Sequence, residues 1–216
     1  MISPGTSSIN HMNIPEDNQL PDQPLYDQKS YSLYLQNKSF LGKLYRKYLL
    51  YPKLNSFLTG RVLDYGCGVG DFLAYRAGTV GVDINPHTVK YCQSNNLPAN
   101  LIQDSKVLPF ENAEFQSIVL DNVLEHISEN DVDEVITEIL RVLAPQGRLL
   151  IGVPGKKGYA SDPDHKCFYS EGSLIHLMKK FGCDNTEKFY MPFHMPWLDT
   201  RLSQYCLYAV FVNNAQ

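Results

Sequence analysis

The stretch VLDYGCGVGDFL, residues 62–73, is an apolar strand that runs into three alternating glycines and reopens as a helix. Such a unit requires a parallel partner strand, because the helix has to carry the chain back across the sheet before it can pair again. The sequence supplies the partners. RVLDYG, TVGVDI, ANLIQD, FQSIVLD and GRLLIGVP read as five short apolar strands, with helical stretches DFLAYRAG and HTVKYCQSNN between them. Asn85-Pro86 have the chemistry of a helix cap and first helical residue. After Ser128 and Asp131, the residues Val132, Val135, Ile136, Ile139, Leu140 and Leu143 form one apolar stripe at helical spacing, closed by Pro145 and Gly147. SEGSLIHLMKKFG reads as a capped helix, EKFYMPF and CLYAVFV as two closing strands. The expectation is an α/β fold: a doubly wound, mostly parallel seven-stranded sheet with an antiparallel closing strand.

Upstream of this alternation the character differs. Residues 1–25 are rich in Pro, Asn, Asp and Ser and read as a flexible tail. Residues 26–58 carry Leu33, Leu41, Leu44, Tyr48 and Leu49 at loosely helical spacing, with Tyr26, Tyr31, Tyr34, Tyr45, Tyr48 and Tyr51. They read as a helical lid whose tyrosines either pack on the main domain or present hydroxyls to a ligand. The remaining 59–216 would be the ligand-binding domain. With 19 basic and 23 acidic residues the net charge is -4, which disfavours a general nucleic-acid binder. Lys43, Arg46 and Lys47 read as a solvated helix face. Five scattered cysteines without a CxxC pair suit a reduced, cytoplasmic protein, and no run is long enough to span a membrane.

The glycine loop constrains the ligand. In open α/β sheets ligands bind beyond the carboxyl ends of the strands, so Asp64 and the 66–70 loop face the pocket. A dinucleotide fingerprint starting at Gly66 would place Gly or Ala where Asp71 stands, and a pyrophosphate there would meet a carboxylate. Acids at both ends of the loop suit a positively charged ligand instead. Read singly, Asp64 and Asp83 are also explained as turn and helix caps, and Cys67 as a small residue tolerated in a tight loop.

Together these residues resemble the class I S-adenosylmethionine-dependent methyltransferases. VLDYGCGVGDFL resembles their motif I, an acid followed by G-x-G-x-G. Asp83 closes the second strand in GVDIN, Asp104-Ser105 end the third, and LPFENAEFQSIVLDNVLEHI resembles the stretch through motif IV. That last stretch is most similar to the type-11 subgroup, which includes the ubiquinone and menaquinone biosynthesis methyltransferases. The resemblance implies a Rossmann-like fold and S-adenosylmethionine as cofactor. It implies a cofactor site made of Asp64, Tyr65, Gly66, Cys67, Gly68, Asp83, Ile84, Asp104, Ser105, Asp121 and Asn122, with Asp83 on the ribose hydroxyls and Asp104-Ser105 beside the adenine. Two departures stand out. Gln116 replaces a frequent Asp inside the fourth strand. Asn122-Val123-Leu124-Glu125-His126 has one carboxylate fewer than the Glu-x-x-Glu-His arrangement that holds magnesium in some members, so no metal is expected.

Two histidines are candidate catalytic bases. His126 follows the fourth strand and either faces the transferred methyl group or packs under its loop. His165, in SDPDHKCFYS, either accepts a proton at the rim or bonds locally. The expected acceptor is a small molecule, a lipid-linked ring or a sugar, the expected assembly a monomer or homodimer. A non-catalytic cofactor-binding protein and a dinucleotide-dependent oxidoreductase are the alternatives.

Overall fold

The computed structural model describes residues 29, 30, 33 and 39–214. The tail expected over 1–25, with Tyr26, Tyr31 and Tyr34, lies outside the described residues. From Ser39 the chain is helical. The Ser39 hydroxyl accepts the Gly42 amide at 3.1 Å and caps α1 (Phe40–Tyr45). A π-helical stretch, Arg46–Leu50, joins it to α2 (Tyr51–Asn55). Leu50, Tyr51, Leu54 and Leu58 are buried and pack with Val62, Phe72, Leu150 and Tyr208. Among the described residues of the segment read as a lid, Tyr45 packs partly buried against this core and full burial begins at Leu50.

The seven strands are β1 (Val62–Tyr65), β2 (Thr79–Asp83), β3 (Ala99–Leu101), β4 (Phe115–Asp121), β5 (Leu143–Pro154), β6 (Cys183–Met191) and β7 (Cys206–Asn213). Their order is β3-β2-β1-β4-β5-β7-β6, and β7 alone runs against the others. This is the expected seven-stranded arrangement. Parallel strands buried on both faces explain the near-continuous apolar runs: all four residues of β1 are buried. The order reverses beside β1, whose neighbours are β2 and β4, so the glycine loop emerges at the switch point.

The helices between the strands follow their caps. Gly70, at φ 76°, leads into the short α3 (Asp71–Tyr75). Asn85 accepts the His87 amide at 2.9 Å ahead of α4 (Pro86–Ser94). The amphipathic α5 (Val132–Val142) buries Val132, Val135, Ile136, Ile139 and Val142, each contributing about 1.5–3 kcal/mol by leaving water. Of the expected stripe, Leu140 is only partly buried, and Leu143 belongs to β5. A four-residue turn, α6 (Lys156–Tyr159), follows β5, and a Ser170–Ser173 capping box opens α7 (Glu171–Lys180). Gln116 has a local role: its side-chain oxygen accepts the Arg61 amide at 2.9 Å, where Gly60, at φ 59°, passes too close for a Cβ.

Candidate functional site

The site is built on the carboxyl edge of β1, β2, β3 and β4. The loop after β1 needs glycine for its backbone: Gly66, Gly68 and Gly70 have φ of 79°, 53° and 76°. The Gly66 and Cys67 amides both donate to the Val82 carbonyl, at 2.8 and 3.0 Å, which fixes the loop against β2. At Gly66 a Cβ would also stand 2.5 Å from Val123.

Asp83 organises the loop from the end of β2. One carboxylate oxygen accepts the Gly68 amide and the other the Asn85 amide, each at 2.8 Å. The Ile84 amide and the Thr88 hydroxyl also stabilise the charge of Asp83. Beyond it lies a cavity of about 690 Å³ lined by Ile84, Pro86, Leu101, Ile102, Gln103, Asp104 and Ser105. Ile84 and Leu101 are exposed there and offer apolar surface to a flat ring. The Tyr65 hydroxyl donates to the Ser105 carbonyl at 2.6 Å and ties β1 to the 104–105 turn. Asp104 in turn accepts the Lys106 amide at 2.9 Å.

Carboxylates crowd the floor. Asp64 is buried, and burial, then Asp121, Asp83 and Asp71, push its carboxyl up to about 8. Burial also raises Asp83, against the Asn85, Gly68 and Ile84 amides and the Thr88 hydroxyl that stabilise its charge. Asp121 accepts from the Tyr208 hydroxyl at 2.7 Å and from the Asn122 side-chain amide at 2.9 Å. Tyr208 reaches it because residue 152 is glycine; a Cβ there would meet the Tyr208 ring at 2.3 Å. Asn122 takes φ 57°, and its amide donates to the Gly152 carbonyl. The cation in this acidic setting is Arg46, 3.8 Å from Asp71. Burial opposes its charge, but Tyr51, Asp121 and Asp71 hold the guanidinium protonated. Arg46 thus points inward rather than lying on a solvated face; with Lys43, Lys47 and Asp71 it lines a cavity of about 240 Å³.

A second cluster stands after β4. Glu125 is fully buried, and neither carboxyl oxygen has a hydrogen-bond partner among the described residues. Burial pushes its carboxyl up to about 8. Its backbone carbonyl accepts the Lys166 and Cys167 amides, clamping the His165 segment onto the turn after β4. His165 Nδ1 lies 2.9 Å from the Tyr159 carbonyl, which makes Nδ1 the donor and leaves Nε2 as the basic nitrogen. Nε2 is 3.8 Å from Glu125. The His126 and His165 rings meet at 4.6 Å, and burial, then His165, lower the His126 pKa. Glu125, His126 and His165 bring ligand atoms within 4.8 Å of one another, close enough to converge on one cation.

A model of the methyltransferase domain family matches residues 36–188. The chain belongs to that family. It is 29% identical over 149 residues to an uncharacterized protein of Methanocaldococcus jannaschii, over 66% of this chain and 61% of that one. It is 27% identical over 124 residues to the ribosomal protein L11 methyltransferase of Glaesserella parasuis, over 55% of this chain and 41% of the other. The chain thus spans about three-fifths or less of these curated relatives' length. Among solved structures, the fold matches the N-methyltransferase NodS of Bradyrhizobium japonicum, in complex with S-adenosyl-L-homocysteine. There the TM-score is 0.61 at 19% identity, over 88% of this chain and 94% of that one. It also matches a SAM-dependent methyltransferase of Thermotoga maritima, described as a possible histamine N-methyltransferase. That match has a TM-score of 0.66 at 15% identity, over 84% and 96%.

Twelve of the thirteen residues singled out from the sequence lie on or shortly after the ends of β1 to β4, and His165 lies in the segment between α6 and α7. Arg46, Glu125 in its buried state and Tyr208 had not been assigned to the site. For Tyr208 the sequence signal was Gly152 inside an otherwise bulky strand. Among the described residues no helix is long and apolar enough to cross a membrane.

Proposed function

We propose that this methyltransferase-domain protein transfers a methyl group from S-adenosylmethionine to an oxygen, nitrogen or carbon of a small-molecule, lipid-linked or sugar acceptor. The observation that carries the reading is the ring of Asp64, Asp71, Asp83 and Asp121 around a glycine loop. That setting repels phosphates and suits a ligand with a sulfonium and an ammonium group. The donor set fits the cofactor: Asp83, at the end of β2, accepts from the ribose hydroxyls, and the Ile84, Leu101 and Asp104-Ser105 cavity takes the adenine. Asp64, Asp121 and Asn122 face the amino-acid end, where Arg46 is the cation for its carboxylate.

When bound, the cofactor supplies an activated methyl group, so the protein's task is to align the acceptor with it. Asp83 holds the glycine loop still for that alignment, and Tyr65 the 104–105 turn. His165, with Nε2 free to accept, and His126 are the groups that take the acceptor's proton where one must leave. Tyr159 stacks on His165 at 5.4 Å and, with exposed Phe168, gives this side an apolar rim. Proteins purified under native conditions should carry S-adenosylmethionine or its demethylated product by mass spectrometry. Screening acceptors for S-adenosylhomocysteine release tests turnover. A protein that binds the cofactor but methylates nothing across hydroxyl, amine and carbon acceptors would be a binding protein only.

A further inference from the structure

Two of the five cysteines meet beneath the glycine loop. Cys67 is the second residue of the 66–70 loop, and Cys92 sits on α4, twenty-five positions further on. Cys92 Sγ donates to the carbonyl of Gly68, the neighbour of Cys67, at 3.3 Å. Both belong to one small apolar cluster with Leu73, Val89 and Ala99. Two glycines leave the space for the sulfurs: a Cβ on Gly81 would stand 2.7 Å from Cys67 Sγ, and one on Gly70 2.9 Å from Cys92 Sγ. Cys67 keeps 8% exposure and Cys92 none, so the pair is shielded but lies directly under the loop's outer surface.

From this geometry we infer that Cys67 and Cys92 are a redox-sensitive pair, and that their oxidation to a disulfide by a hydroperoxide switches off cofactor binding. The inference rests on the cofactor site described above. In the reaction one sulfur, as thiolate, attacks the peroxide O–O bond, becomes a sulfenic acid and releases hydroxide, which takes up a proton to leave as water. The second thiol displaces the hydroxyl group from that sulfur as a second water. Two thiols and one hydrogen peroxide thus give one disulfide and two waters.

A disulfide brings the sulfurs to about 2.05 Å, well inside van der Waals contact, and draws Cys67 toward α4. The adjacent Gly68 amide is held by Asp83 at 2.8 Å, and the Gly66 and Cys67 amides share the Val82 carbonyl. Moving Cys67 therefore disturbs the backbone that receives the cofactor and the carboxylate that holds its ribose. Linkage runs both ways: a bound cofactor that fixes the loop should slow the cross-link.

The test uses the full chain, hydrogen peroxide and S-adenosylhomocysteine. After peroxide treatment, non-reducing peptide mapping should find Cys67 joined to Cys92. Calorimetry should show affinity at least about tenfold weaker, the loss of one hydrogen bond to a charged group, and recovery after a dithiol reductant. Pre-bound S-adenosylhomocysteine should delay the cross-link. Cys92→Ser should keep its affinity through the same treatment; wild-type mapping scores the pairing even if that variant folds poorly. Overoxidised thiols without the cross-link, or a cross-linked protein that binds unchanged, would overturn the inference. Reduced protein that fails to bind would instead overturn the cofactor reading and, with it, the binding consequence, while the mapping still decides whether the thiols pair.

Discussion

Binding a cationic cofactor should drive a proton out of the pocket, and Asp64 is the group that should release it. Its carboxyl is pushed up to about 8 from an ordinary 3.8 by burial and by Asp121, Asp83 and Asp71. At pH 7 the empty protein therefore holds Asp64 neutral, whereas an unfolded chain ionises it. Between roughly pH 4 and pH 8 the folded state binds the extra proton. Stability should fall as pH rises through that window, by at most about 1.4 kcal/mol per unit for this group, and level off above pH 8.

A sulfonium and an ammonium set beside Asp64 reverse the preference, because they stabilise the carboxylate. Binding S-adenosylmethionine at pH 7 should then release close to one proton. Affinity should climb by up to about tenfold per pH unit from pH 6 toward 8, and flatten as the cofactor's own amine, near 7.7–8.0, loses its charge. Calorimetry in two buffers of different ionisation enthalpy counts the protons directly. Adenosine, which carries neither charge, should release none. Asp64→Asn, an uncharged near-isostere, should abolish both the proton release and the pH slope. Proton uptake on binding, or an Asp64→Asn protein that keeps the slope, would refute the assignment of Asp64 as the responsive group.

Fold and site were legible to different depths. The mostly parallel seven-stranded sheet and the β1 switch point were legible in the alternation of apolar runs, because strands that alternate with helices have to pair in parallel. The glycines were legible because the loop's left-handed φ values demand them, and Asp83 because an acid at a strand end holds the adjacent turns. What could not be read was long-range. Tyr208 belongs to the site only because β7 inserts antiparallel beside β5 and Gly152 yields it room. Arg46 looked like surface charge until a π-helical stretch turned it toward Asp71. Nothing in the spacing of the N-terminal segment marks Leu50 as the residue where full burial starts, since Leu41 and Leu49 share its periodicity and stay exposed.

The remaining expectations probe the loop, its carboxylate and the N-terminal segment. Asp83→Ala should cost about 1.5–3 kcal/mol of S-adenosylhomocysteine affinity for each ribose hydrogen bond lost, and should lower thermal stability by orphaning the Gly68 and Asn85 amides. Unchanged affinity in calorimetry would remove Asp83 from the ribose. Gly68→Val puts a β-branched residue at φ 53° and should abolish binding, with a penalty of about 1–2 kcal/mol or more in a denaturant titration; a stable, tight-binding variant would take the loop out of the site. For the N-terminal segment we propose that only the part before Leu50 moves. Leu50, Tyr51, Leu54 and Leu58 are at most 8% exposed and share a core with Val62 and Tyr208, whereas Phe40 and Leu41 are about three-quarters exposed. Hydrogen exchange should therefore find residues 40–49 weakly protected when empty and slowed by S-adenosylhomocysteine, while 50–58 resist exchange in both states. Deleting residues 1–25 should leave binding intact; deleting through Leu58 should remove four core side chains and unfold or aggregate the protein. A stable, active fragment that starts at Gly60 would show that this core contact is dispensable, and uniform protection across 40–58 without ligand would leave no moving segment to call a lid.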